Sequence, residues 1–305
     1  MAILSPCKRE DYPLKSFIAL PILCALSSIP SSVSAQELKI STWNLNNLSG
    51  QNNTGCTERV QRDYDEIKKI INAVDADVWL FQEVENVGAL ARIMNPSAWD
   101  FHIESRPDWS SMPPCFNNDR NAVMQRVAIA TKKGMAVGKK EELPFLDTSG
   151  RGTLRYGVAV NIAHRGRTIH ILNVHLKSGC SEETNGAACG TLFEQIPYLT
   201  SYINEISDSN APLIVGGDFN RKLAESHDDA WHSLSYRKSV GLTISSNSGP
   251  SKCSLKGDEN IDYILTNKHH RELYSVEDEY EYSFSGPYES WPSDHCPVVV
   301  NFLSK

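Results

Sequence analysis

Carboxylates, carboxamides and imidazoles crowd the ends of apolar, β-branched runs in this sequence. In chain order they are Thr42-Trp43-Asn44, Gln82-Glu83, Asn173-Val174-His175, Gly217-Asp218-Phe219-Asn220 and Ser293-Asp294-His295. A sixth, Ile261-Asp262-Tyr263-Ile264, lies within a strand-like run. Water-seeking groups are a costly way to finish buried strands unless they converge on something charged. Asp, Glu and Asn without a cysteine cluster suit a hard, oxygen-preferring cation such as Mg²⁺ or Mn²⁺, with Ca²⁺ also accommodated. Histidines are then left for proton transfer. Cutting a phosphate ester needs both capacities.

Two readings stand side by side for each motif. In Ile214-Val215-Gly216-Gly217-Asp218-Phe219-Asn220, an extended chain puts Asp218 and Asn220 on one face, where they address a common ligand. Gly216 and Gly217 would let a phosphate or metal approach the backbone. The same residues also fit a Gly-Gly-Asp turn with Asn220 capping the next helix. Glu83 closes Asp77-Val78-Trp79-Leu80-Phe81-Gln82-Glu83, and a lone Glu after a strand is most often solvated. Its company favours ligation, because Asn44 ends the first strand and Asp294 precedes the last. His175 and His295 at strand ends, with Asp262 available to orient one of them, suit acid–base chemistry better than core packing. No Gly-x-Ser-x-Gly elbow, P-loop or dinucleotide fingerprint occurs, which removes covalent acyl chemistry and those nucleotide folds.

Apolar segments alternate between strand and helix periodicity along the chain. Strands are predicted at Leu38–Trp43, Asp77–Phe81, Val127–Thr131, Tyr156–Ile162, Thr168–Val174, Pro212–Gly216, Ile261–Leu265 and Pro297–Phe302. Helices are predicted from Val60 to Val74, around Leu90–Ile93, over Leu192–Ile206 despite Pro197, and near Lys222–Leu234. Residues 100–126, rich in Pro, Asn, Asp and Ser, read as a long exposed loop. Helices interleaved with hairpins imply sheets covered by helices in one α/β domain.

The chain of 305 residues is long enough for a single large core. Lys8, Arg9 and Lys15 precede an apolar stretch from Phe17 to Ile29, followed by Val33-Ser34-Ala35. Residues 1–35 therefore read as a secretory signal peptide, leaving a domain over 36–305 and a secreted or periplasmic protein without stable membrane insertion. Their loss takes the formal charge from −7 to −8, since they carry three Lys/Arg and two Asp/Glu. An acidic chain argues against histone-like polyanion binding, yet it leaves room for a nuclease using a cation and a few local Arg contacts. Six cysteines remain after cleavage, and export makes disulfides expected. Cys180 and Cys189 flank a small polar loop and form the expected pair. Cys296, in Cys-Pro-Val-Val-Val, reads as a buried free thiol, and the pairing of Cys56, Cys115 and Cys253 stays open.

Taken together and in this order, the motifs resemble the endonuclease/exonuclease/phosphatase superfamily, also called deoxyribonuclease I-like. The resemblance spans residues 38–303. It implies a four-layer α/β/β/α sandwich with the site at one end of two packed sheets. It also implies that Glu83 is the principal metal ligand, supported by Asn44 and Asp294, while Asp218 and Asn220 contact the phosphate, the water or a second metal. Asp262 would hold His295 as the base toward water, and His175 would donate to the phosphate. Arg155, opening Arg-Tyr-Gly-Val-Ala-Val, resembles a phosphate-contacting arginine of the deoxyribonuclease I branch. The expected activity is hydrolysis of DNA or RNA phosphodiesters, nucleic acid being the substrate; no protein partner is implied. A lipid or small-molecule phosphodiesterase or phosphatase is the alternative, and a non-catalytic binding module is a distant one. Loops at 100–126 and 179–190 would read whatever the phosphate carries.

Overall fold

The computed structural model describes residues 37–116, 118–182, 184–246, 249–253 and 260–305. The signal-peptide reading of residues 1–35 lies outside them. Among the described residues, twelve strands form two six-stranded sheets. The first sheet contains β1 (Glu37–Leu48), β2 (Val78–Val84), β3 (Trp99–Ile103), β4 (Arg126–Lys132), β11 (Tyr274–Glu281) and β12 (Val298–Ser304), in the order β11-β12-β1-β2-β4-β3. The second contains β5 (Ala136–Leu143), β6 (Gly157–His164), β7 (Arg167–His175), β8 (Leu213–Asp218), β9 (Thr243–Ile244) and β10 (Asp262–Thr266), in the order β5-β6-β7-β8-β10-β9. Among the described residues five α-helices accompany them: α1 (Gln61–Val74), α2 (Val87–Ile93), α3 (Ala187–Asp208), α4 (Asp229–Ser235) and α5 (Lys268–Leu273).

Strand alternation builds the layers. In β2, Val78 and Leu80 face a core shared with Ile171 of β7 and Ile214 of β8, so this cluster fills the space between the sheets. Trp79 and Phe81 point the other way, onto Tyr64, Ile67, Ile71 and Val74 of α1 and Leu90 of α2. Leu172, Val174 and Val215 turn outward beneath Leu192, Ile196, Leu199 and Ile203 of α3. Three apolar cores separate four layers, the expected α/β/β/α sandwich. Because both faces of the central strands are covered, they read as continuous apolar runs with little polar alternation.

Several boundaries move. Residues 100–103 belong to β3, so the irregular stretch begins only at Glu104. The helix predicted near Lys222–Leu234 starts at Asp229, because Asp228 caps it by accepting from the Trp231 N–H at 2.7 Å. Three disulfides join Cys56 to Cys115, Cys180 to Cys189 and Cys253 to Cys296. The Cys180–Cys189 expectation is met. Cys296 is not a free thiol: the fold brings Cys253 within 5.3 Å, Cα to Cα. Non-reducing peptide mapping will recover these three pairs. The bridges closing 59 and 43 residues constrain the unfolded chain most. Replacing either by serines is expected to lower stability by about 2–5 kcal/mol in urea titrations. An unchanged midpoint would contradict that role.

Candidate active site

One rung of the second sheet carries three of the predicted residues. His175 of β7 pairs in register with Asp218 of β8, and Asp218 pairs with Asp262 of β10. Their side chains therefore leave the sheet at the same level and on one end. His175 Nε2 stands 3.4 Å from Asp218 Oδ2. Burial together with the Asp262 charge pushes the Asp218 carboxyl up to about 6. Burial, reinforced by the neighbouring Arg155 charge, holds His175 well below the usual imidazole range. Burial thus favours the neutral imidazole, with Nε2 turned toward the Asp218 carboxylate.

The first sheet supplies the opposite wall. Asn44 of β1 donates through Nδ2 to Asp218 Oδ2 at 3.0 Å and to Glu83 Oε1 at 3.5 Å, tying the two sheets together at the site. Glu83 sits at φ +60°, where a side chain other than glycine is strained. That turn interrupts the ladder between β2 and β4 and aims the carboxylate at the second sheet. The Asn47 N–H holds Glu83 Oε2 at 2.9 Å. Burial raises the Glu83 carboxyl above its ordinary value, with Arg155 and His295 pulling it back. Of the other amides in these motifs, Gln82 and Asn173 bond to each other at 2.8 Å and to backbone carbonyls, forming a buried strut between the sheets.

His295 precedes β12 and reaches over to Asp262, Nδ1 to Oδ2, at 2.6 Å. Burial pulls its pKa down, but the Asp262 charge and hydrogen bond, with Asp218 and Asp294 behind them, hold it well above the usual value. Asp218, Asp262 and His295 present ligand atoms within 4.8 Å of one another. The 2.6 Å contact is nevertheless shorter than the roughly 3 Å between two neighbouring oxygens on an octahedral cation of 2.0–2.1 Å bonds. Nδ1 and Oδ2 are therefore hydrogen-bonded to each other, which leaves His295 Nε2 for other work. Ser293 Oγ fixes the loop by donating to Asn44 O at 2.7 Å, and Trp43 Nε1 donates to His295 O at 2.8 Å.

The remaining predicted residues fall into place less uniformly. Arg155 donates to Leu176 O at 2.6 Å and faces Glu83 and Asp218 electrostatically, while its Nε is buried without a partner among the described residues. Asp294 is exposed and influences the cluster through its charge alone among the described residues. Asn220 departs from the expected extended geometry. At φ +52° it turns back, its N–H donating to Asp218 Oδ1 at 2.8 Å and its Nδ2 to Leu176 O at 3.2 Å. It braces Asp218 and does not share a strand face with it. Gly216 and Gly217 also differ from expectation. A Cβ on Gly217 would stand 2.0 Å from Val174 O, and one on Gly216 would meet Leu80 at 2.4 Å. Close packing requires these glycines, and the space beside them is filled by protein.

Nothing local in the sequence marks Asn47, Glu104 or Arg106. Glu104 accepts from the Tyr156 N–H at 2.6 Å and pairs with Arg106 at 3.3 Å, fastening the segment that carries Arg155. Burial pushes Glu104 up to about 7 against the pull of Arg106. Both lie in the stretch that composition assigns to a loop.

The donor set fits a hard divalent cation. Asp218 and Asp262 are buried carboxylates paired on adjacent strands, half-buried Glu83 stands across the Asn44 amide from Asp218, and Asp262 Oδ1 is buried without a hydrogen-bond partner among the described residues. Asn44 offers its amide nitrogen to two carboxylates, while its oxygen is held by the Asn46 N–H at 3.0 Å. The Asp262–His295 pair makes a separate prediction. A base must be unprotonated, so if His295 serves as the base, activity rises with pH through its elevated pKa. Asp262→Asn removes the cause of that elevation and should move the acidic limb of kcat/KM to lower pH while reducing kcat. A limb that stays in place would contradict the pairing.

Comparison with solved structures places this architecture. The human Nocturnin catalytic domain with bound sulfate superposes with a TM-score of 0.63 at 18% identity, over 88% of this chain and 95% of that one. An endonuclease/exonuclease/phosphatase from Bacteroides vulgatus gives 0.64 at 15% identity, over 88% and 100%. D. rerio TDP2 complexed with a single-strand DNA product gives 0.62 at 14% identity, over 87% and 98%. At these identities the likeness concerns the fold. No curated protein sequence matches the chain. A family profile does, from residue 41, just before Asn44, to residue 295, the proposed base. Its span takes in every motif described above, and the chain belongs to the Endonuclease/Exonuclease/phosphatase family.

Proposed function

We propose that the protein is an exported, divalent-metal-dependent phosphodiesterase that hydrolyses DNA or RNA by in-line attack of water. The observation carrying this reading is the Asp262–His295 dyad at 2.6 Å set against the His175–Asp218 pair and Glu83 at one end of the sandwich. Family membership supports phosphoric ester hydrolysis with a divalent metal. A bound cation at Glu83, Asp218 and Asn44 would neutralise phosphoryl oxygens, worth several kcal/mol of transition-state stabilisation. Asp262 fixes the His295 ring so that Nε2 accepts the water proton. His175 donates a hydrogen bond from Nε2 to a phosphate oxygen, and Arg155 adds positive charge on the same side. Asp294 would complete the ligand set from the rim.

A nucleic-acid substrate is supported by the fold shared with TDP2, a structure of which contains single-strand DNA product. Export is supported by the three disulfides, which suit an oxidising compartment, and by the leader-like composition of residues 1–35. No helix among the described residues is long and apolar enough to cross a membrane. N-terminal sequencing of exported protein should begin at Gln36. Supercoiled and linear DNA, RNA, sphingomyelin and phosphomonoesters, each with added Mg²⁺ or Mn²⁺, separate the nuclease from its alternatives. Release of phosphocholine or inorganic phosphate without strand cleavage would overturn the nuclease reading.

A further inference from the structure

Arg59 lies just before α1 and is only 2% exposed. No carboxylate forms a salt bridge with it among the described residues. Four backbone carbonyls take its guanidinium instead. Nη1 donates to Asn46 O at 2.9 Å and Asn47 O at 3.0 Å, while Nη2 donates to Leu45 O at 2.7 Å and Pro292 O at 2.8 Å. Burying a charge this way is costly and asks for a reason.

The reason lies on the far side of the same peptide groups. The peptide joining Leu45 to Asn46 gives its carbonyl to Arg59 and its N–H to Asn44 Oδ1 at 3.0 Å. The next peptide gives its carbonyl to Arg59 and its N–H to Glu83 Oε2 at 2.9 Å. Two successive planar units thus span from one cation to two proposed metal ligands. In a trans peptide the C=O and N–H point in opposite directions, so fixing one aims the other. Asn46 and Asn47 both hold left-handed φ values, +45° and +61°, a conformation that needs outside support. The fourth bond, to Pro292, ties in the loop that continues to Asp294 and His295.

We propose that Arg59 is a positioning residue for the metal site, aiming two polarised backbone N–H groups at Asn44 and Glu83 and locking the His295 loop to the same point. Its fixed fork can satisfy several carbonyls at once, which a lysine ammonium cannot match. It touches neither substrate nor metal. The inference rests on the metal-dependent reading of the site.

The test uses the purified chain with Arg59→Lys, which retains charge, and Ile67→Ala, a cavity in the buried apolar face of α1, as a control for lost stability. Amide exchange at Asn46 and Asn47 in metal-free protein reads the clamp directly. Calorimetric titration with Mn²⁺ alone reads its consequence. Arg59→Lys should accelerate exchange at both amides at least tenfold and weaken Mn²⁺ binding at least tenfold. Ile67→Ala should leave Mn²⁺ affinity within twofold of wild type. Wild-type exchange and affinity in Arg59→Lys, or equal loss in Ile67→Ala at matched folded fraction, would overturn the proposal. A wild-type chain that binds no Mn²⁺ would instead refute the metal reading, and the exchange data would still decide whether Arg59 holds the two peptide units.

Discussion

His295→Ala will lower kcat on the order of 10³-fold, equivalent to about 4 kcal/mol of transition-state stabilisation, with KM for substrate little changed. The imidazole makes one strong contact, to Asp262 at 2.6 Å, and offers its other nitrogen to the reaction. Alanine keeps the backbone that accepts from Trp43 Nε1 and donates to Ser293 Oγ. The loop should therefore keep its place. The stability cost comes from Asp262, left buried without its partner, on the order of 1–3 kcal/mol. Single-turnover rates with saturating metal, alongside Tm, separate the two effects. Wild-type turnover would remove His295 from the mechanism.

Glu83→Gln will raise the metal concentration needed for half-maximal activity on the order of 100-fold, at or above the upper end of the 10- to 100-fold typical of losing an outer support. The side chain is nearly isosteric and can still accept the Asn47 N–H. What disappears is a charge that burial makes expensive to hold. A carboxyl whose folded pKa is raised contributes stability at low pH that is lost as pH rises through that value. The metal-free variant at pH 7 should consequently be no less stable than wild type, even as its metal requirement climbs. An unchanged Mg²⁺ titration would show that Glu83 is not a ligand.

Much of this site was legible because strand ends announce themselves. Periodicity located β1, β2, β7, β8 and β10 closely enough to gather Asn44, Glu83, His175, Asp218 and Asp262, and chain order supplied the family. What periodicity misses is conformation between elements. Asn220 and Glu83 adopt left-handed φ values that nothing in their neighbours dictates, and Asn220 consequently braces Asp218 where an extended chain would have placed it beside the ligand. β5 and β11 escaped notice because their residues are mostly exposed and charged, Gly138-Lys139-Lys140-Glu141 and Glu277-Asp278-Glu279. Arg59 was silent for a different reason. Its role is to carbonyls, which every residue has, so no partner residue type could betray it. The Cys253–Cys296 bridge likewise depends on tertiary proximity that spacing alone does not reveal.

The central claim is that these residues form a metal-dependent phosphoric ester hydrolase. The direct measurement is cleavage of supercoiled plasmid by the purified chain, with Mg²⁺, Mn²⁺ or Ca²⁺ and with EDTA, beside His295→Ala prepared identically. Strand cleavage is expected with at least one of these cations, with its abolition by EDTA and its loss in the variant. Cleavage that persists in EDTA, or no hydrolysis of plasmid or any other phosphate ester with every cation, would contradict it.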